Sequence, residues 1–74
     1  MGFLQRNLSR REKEVLTLIS FGYSTDEIGH ELHLSKETIK THRKRIIAKM
    51  CAKNAADLVR KAFESRVLSV AASH

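Results

Sequence analysis

The sequence predicts an all-α domain of four helices, and three observations predict it. The 74 residues hold no proline and only three glycines, while Leu, Ile, Ala, Lys, Arg and Glu are plentiful, which favours helices over strands. Ser9, Ser24, Ser35 and Asn54 each stand where a side-chain oxygen can accept an orphan N–H of a first helical turn. Behind each of them, apolar residues recur at helical spacing.

The first helix opens on Ser9-Arg10-Arg11-Glu12. Here the serine caps the amide three residues on and the glutamate reaches back. Val15, Leu16, Leu18 and Ile19 form its inner side, and Gly22 suits the turn that ends it. Ser24-Thr25-Asp26-Glu27 is a second such box, opening a short helix with Ile28 and Leu32 inside. Ser35 caps a third helix of about Lys36 to Met50, with Glu37 favoured in its first turn by the helix dipole. Asn54-Ala55-Ala56-Asp57 starts a fourth, with Leu58, Val59, Ala62 and Phe63 expected inside. Residues 1–7 and roughly 69–74 read as loose ends, so the core is about 8–66 of a single domain.

So short a chain buries only about 60% of its unfolded surface, which leaves no room for a substrate-enclosing pocket and its scaffold. No nucleophile–base pair, glycine-rich phosphate loop or paired carboxylates stand out, and no enzyme is expected. Cys51 is the sole cysteine, which rules out an internal disulfide and fits a reducing cytoplasm; it reads as a small, half-buried residue at a helix end, with redox sensitivity beside Lys49 and Lys53 as the sharper alternative. With His30, His33 and His42 it does not make the paired spacings of a zinc site, and no metal or cofactor is expected. No apolar run of membrane-spanning length, signal peptide or myristoylation pattern is present.

The net charge of +6 is concentrated in one segment. Residues 36–53 carry seven cations against the single acid Glu37, while the flanking segments nearly cancel. A polyanion is the natural partner. Only His33 and Leu34 separate the second helix from the Ser35 cap, which forces the sharp crossing of a helix-turn-helix. Gly29 is expected where those two helices approach.

On the wheel of the third helix Ile39, Ile46 and Met50 share the core side. The opposite side holds Glu37, Thr41, Lys44 and Ala48, flanked by Lys40 and Arg45. Ala48 keeps that side low enough to enter a major groove about 12 Å wide. A solvated basic face would show the same charges. The short preceding helix and tight turn favour DNA.

The strings Leu8–Leu16, Glu27–Leu32 and Leu34–His42, with Gly22 between the first two, resemble the LuxR-type helix-turn-helix domain over about residues 8–63. Ala48–Lys53 and Leu58–Ala62 are similar to the FixJ branch of response regulators, and with no receiver or ligand-sensing segment in the sequence the resemblance suggests either a stand-alone, GerE-like architecture or a fragment of a response regulator.

The resemblance implies a bacterial, cytoplasmic, nucleoid-associated transcription regulator. It would bind an inverted-repeat operator in double-stranded DNA as a homodimer, or pair with a full-length regulator of the same family. It implies base contacts from Lys40, Thr41 and Lys44. Phosphate contacts would come from Thr38, His42, Lys53 and the amino ends of the second and fourth helices, Asn54 included, with Lys36 and Arg45 as further DNA-facing cations. Leu58, Val59 and Ala62 would form the dimer contact.

Three departures from the family pattern stand out. Cys51 replaces a common glycine, Ala55 replaces a frequent arginine, and the second helix is acidic through Asp26, Glu27 and Glu31. Two other classes remain. One is a protein-interaction module working through Leu58, Val59, Ala62, Phe63, Val67 and Leu68. The other is a cationic helix on a membrane surface, which the third helix serves poorly because it lacks a broad aromatic, apolar face.

Overall fold

The computed structural model describes residues 8–65. The expected loose ends 1–7 and 69–74, together with Val67 and Leu68, lie outside the described residues. Four helices follow one another: α1 (Arg10–Ser20), α2 (Thr25–Leu32), α3 (Lys36–Lys49) and α4 (Ala55–Glu64). The third helix ends one residue earlier than the sequence suggests, with Met50 as its C-cap.

All four start signals act as caps. In α1 the Ser9 N–H donates to Glu12 Oε1 at 2.9 Å and the Glu12 N–H to Ser9 Oγ at 3.1 Å. Ser24 and Glu27 repeat this reciprocal pair for α2, at 2.8 and 3.2 Å. Ser35 accepts from the Thr38 N–H at 3.1 Å and shares a second bond with its hydroxyl at 2.8 Å. Asn54 accepts from the Asp57 N–H at 2.9 Å, but the Asp57 carboxylate turns to the Lys53 N–H, at 2.9 Å, rather than back to Asn54. That N–H, then Arg60 beside it, hold the Asp57 carboxyl below its ordinary value.

The first three helices share one solution at their C-terminal ends. Tyr23 N–H bonds Leu18 O and Gly22 N–H bonds Ile19 O; the same pairing joins Leu34 to Gly29 and His33 to His30, then Ala52 to Ile47 and Cys51 to Ala48. This six-to-one plus five-to-two pattern needs a left-handed residue just past each helix. Gly22 (φ 88°), His33 (φ 57°) and Cys51 (φ 54°) supply it. Side-chain residues in that conformation cost roughly 1–2 kcal/mol relative to glycine. Cys51→Gly, at an exposed position, is therefore expected to stabilise the domain by about 1 kcal/mol in a urea titration. A lowered midpoint would show that Cys51 makes a contact worth more than its backbone strain.

The core collects Leu8, Val15, Leu16, Ile19, Ile28, Ile39, Ile46, Met50, Leu58 and Ala62. The three core positions read from the third helix, Ile39, Ile46 and Met50, are 0%, 0% and 1% exposed. α3 packs on both α1 and α2, and α4 packs on α1. Gly29 is required by a closer neighbour than a facing helix: a Cβ there would stand 2.7 Å from the Leu34 carbonyl oxygen in the turn.

Two expectations are corrected. Phe63 is 36% exposed rather than inside, because the packed side of α4 is taken by Leu58 and Ala62. Cys51 is exposed rather than half-buried, because its left-handed backbone turns it away from the helix end.

One polar pair joins the core. Glu12 is 3% exposed and accepts from Lys49 Nζ at 2.8 Å, tying the start of α1 to the last turn of α3. Burial alone pushes the Glu12 carboxyl up, but Lys49 and the Ser9 N–H outweigh it and hold it below its ordinary value. Its contribution is thus present above the ordinary glutamate pKa of about 4.3 and fades as pH falls below it. Lys49→Met is expected to cost roughly 1–3 kcal/mol at pH 7 and to flatten the acid limb of stability between about pH 5 and 3. An acid limb as steep as that of the parent protein, measured by urea midpoints across pH, would show that other carboxylates govern it.

Candidate nucleic-acid interface

The sharp α2–α3 turn sets the interface. His33 reverses the chain, Ser35 restarts it, and Gly29 allows the turn carbonyl to press against α2. With Ile39, Ile46 and Met50 locked inward, the other side of α3 has no choice but to face out. Lys36, Glu37, Lys40, Thr41, Lys44, Arg45 and Ala48 are all exposed on it. Thr41 returns its hydroxyl to the Glu37 carbonyl at 3.1 Å, which restricts its rotamer.

The cations divide into two sets. Lys36 pairs with Asp26 at 3.6 Å and Lys40 with Glu37 at 3.7 Å, both pairs well exposed. Exposed pairs are worth about 0–1 kcal/mol, so both lysines can turn to another anion at little cost. Lys44, Arg45 and Lys53 form no ion pair among the described residues. Lys49, counted in the same basic segment, is held by Glu12 and is a structural cation. Sequence spacing could not have revealed that pair, since its partners lie 37 residues apart.

Of the remaining candidates, two lie on α3 itself and two at the start of α4. Thr38 is half-buried, with its hydroxyl engaged by Ser35. His42 is half-buried with Nδ1 enclosed and without a hydrogen-bond partner. Lys53 and Asn54 are exposed at the amino end of α4; the Asn54 carbonyl is used by the cap, which leaves its amide group as a donor.

The dimer candidates do not stay together. Leu58 and Ala62 are 0% exposed and belong to the core of the single chain, so neither has surface for a partner. Only Val59 of the three reaches the surface, half-buried. Ala56, Val59 and Phe63 form an outward apolar stripe at helical spacing instead. Arg60 flanks it, bonded to Asp57 at 2.6 Å and Glu64 at 2.7 Å. Among the described residues no helix is long and apolar enough to cross a membrane.

A tight turn, a short preceding helix and an outward basic helix define a DNA-binding helix-turn-helix domain. The model of the bacterial regulatory proteins of the luxR family matches residues 6–62, and the chain belongs to that family of DNA-binding transcription regulators. It is similar to the oxygen regulatory protein NreC of Staphylococcus carnosus (strain TM300), 38% identical over 63 residues, which are 85% of this chain and 29% of that protein. The protein of the same name from Staphylococcus aureus (strain JH9) is 38% identical over 61 residues, 82% of this chain and 28% of its own length. The chain thus spans less than a third of the length of these curated relatives.

Proposed function

We propose that this domain binds a specific sequence in duplex DNA as a homodimer, with α3 laid in the major groove, and so regulates transcription in the bacterial cytoplasm, on the nucleoid. The observation that carries the reading is the division of α3 into a fully buried apolar side and an exposed side of Lys40, Thr41, Lys44, Arg45 and low Ala48. Lys or Arg on such a face reaches guanine edges, and threonine meets either base edges or a thymine methyl. Lys36, Thr38, His42, Lys53 and Asn54 border the groove walls and hold phosphate, which fixes register without reading sequence.

The outward stripe of Ala56, Val59 and Phe63 supports a two-fold contact through α4 in which small Ala56 permits close approach. A two-fold dimer places its recognition helices in successive major grooves about 34 Å apart, on an inverted repeat. The same stripe would accept the corresponding helix of a full-length relative.

Selection from a random duplex pool tests both parts. An enriched inverted repeat is expected, and Val59→Asp should weaken binding to the full repeat while leaving an isolated half-site unaffected. A pool that shows no enrichment would contradict sequence-specific regulation, and equal wild-type affinity for half-site and full repeat would contradict the dimer.

A further inference from the structure

The seven cations of residues 36–53 meet one acid, and that acid lies on the midline of the outward stripe. At 100° per residue, Glu37, Thr41, Lys44 and Ala48 fall within about 60° of arc. The Glu37 side chain is 83% exposed, and its ion-pair partner is Lys40, at 3.7 Å. Favourable placement in the helix dipole accounts for an acid somewhere in the first turn. It does not account for this face, since Lys36 and Thr38 occupy first-turn positions off the midline. Against the phosphate backbone a carboxylate on the midline is repelled, unless its oxygens meet a donor on the groove floor.

The major groove offers such donors at cytosine N4 and adenine N6. Adenine sets an N7 acceptor beside its amino group, which repels the second carboxylate oxygen, whereas cytosine presents the amino donor alone. We infer that Glu37 determines specificity by accepting a hydrogen bond from a cytosine N4 amino group at the base pair nearest the start of α3. This rests on the proposed insertion of α3 in the groove. Lys40 completes the fit: opposite charges a few ångströms apart match the adjacent N4 donor of cytosine and O6 acceptor of its guanine, so the two side chains read one C·G pair. The acid also works by exclusion, because the O4 of thymine and the O6 of guanine repel it.

The test is pool selection with the parent protein, Glu37→Ala and Glu37→Gln, each checked for unchanged helix content. The parent should select cytosine at one position in each half-site, with discrimination of about 5- to 150-fold. Glu37→Ala should lose that preference alone and bind scrambled duplex more tightly. Glu37→Gln should move the preference to adenine, whose N6 and N7 suit a carboxamide. A parent that selects no sequence overturns the proposed function itself. A parent that selects a site which Glu37→Ala retains at every position, with equal discrimination, overturns the Glu37 assignment and leaves that function standing.

Discussion

Ile46→Ala is expected to destabilise the domain by roughly 2–5 kcal/mol, the cost of deleting a fully buried branched side chain. Ile46 lies between Ile39 and Met50 on the side of α3 that meets α1 and α2, so its loss opens a cavity where three helices converge. A domain of this size has about 4–11 kcal/mol in total, and each kilocalorie shifts the thermal midpoint by about 4–8 °C. The midpoint should fall by tens of degrees, or the variant should not fold. Ala48, on the midline of the opposite side, offers the control: it is exposed, and Ala48→Ser should change the midpoint little. An Ile46→Ala midpoint equal to the parent's would mean that α3 is turned about its axis, and the face assigned to DNA would be wrong.

Gly29→Ala carries the second large effect, and its sign is the informative part. In a helix with open space, alanine is better than glycine by about 1 kcal/mol. Here the added methyl would sit 2.7 Å from the Leu34 carbonyl oxygen, a backbone atom of the turn, with Ile39 Cγ1 at 3.8 Å behind it. The turn has to shift, and it is held by the Leu34 N–H bond to the Gly29 carbonyl at 2.9 Å. Overpacking of this kind costs typically 1–3 kcal/mol, so net destabilisation is expected in place of the usual gain. Because the turn sets the angle between α2 and α3, duplex affinity should fall further than stability does. A stabilised Gly29→Ala variant would show that the turn has slack.

Much of the fold is legible in the sequence because its determinants are local. Caps three residues from their partners, a short α2–α3 connection and a clean wheel on α3 depend on neighbours along the chain, and Ser9, Ser24, Ser35 and Asn54 behave accordingly. Helix α4 was harder to read. Leu58, Val59, Ala62 and Phe63 span too wide an arc for all of them to face α1, and only packing decides that Leu58 and Ala62 are buried while Phe63 stays out. Lys49 was legible as a cation but not as the partner of Glu12, because the pair joins helices distant in sequence. The left-handed backbone of Cys51 had one signal, the glycine common at that place in the family it resembles.

Salt titrations of Lys44→Ala and Lys53→Ala on a preferred and a scrambled duplex test directly whether α3 reads bases while its surroundings hold phosphate. Both lysines are exposed and outside any ion pair among the described residues, so neither change should disturb the fold. Lys44→Ala should cost about 1–3 kcal/mol on the preferred duplex and relax the preference at one position. Lys53→Ala should weaken both duplexes alike and lower the slope of log affinity against log salt by about one. Equal losses for both variants on both duplexes would reduce α3 to an electrostatic clamp and contradict sequence-specific recognition.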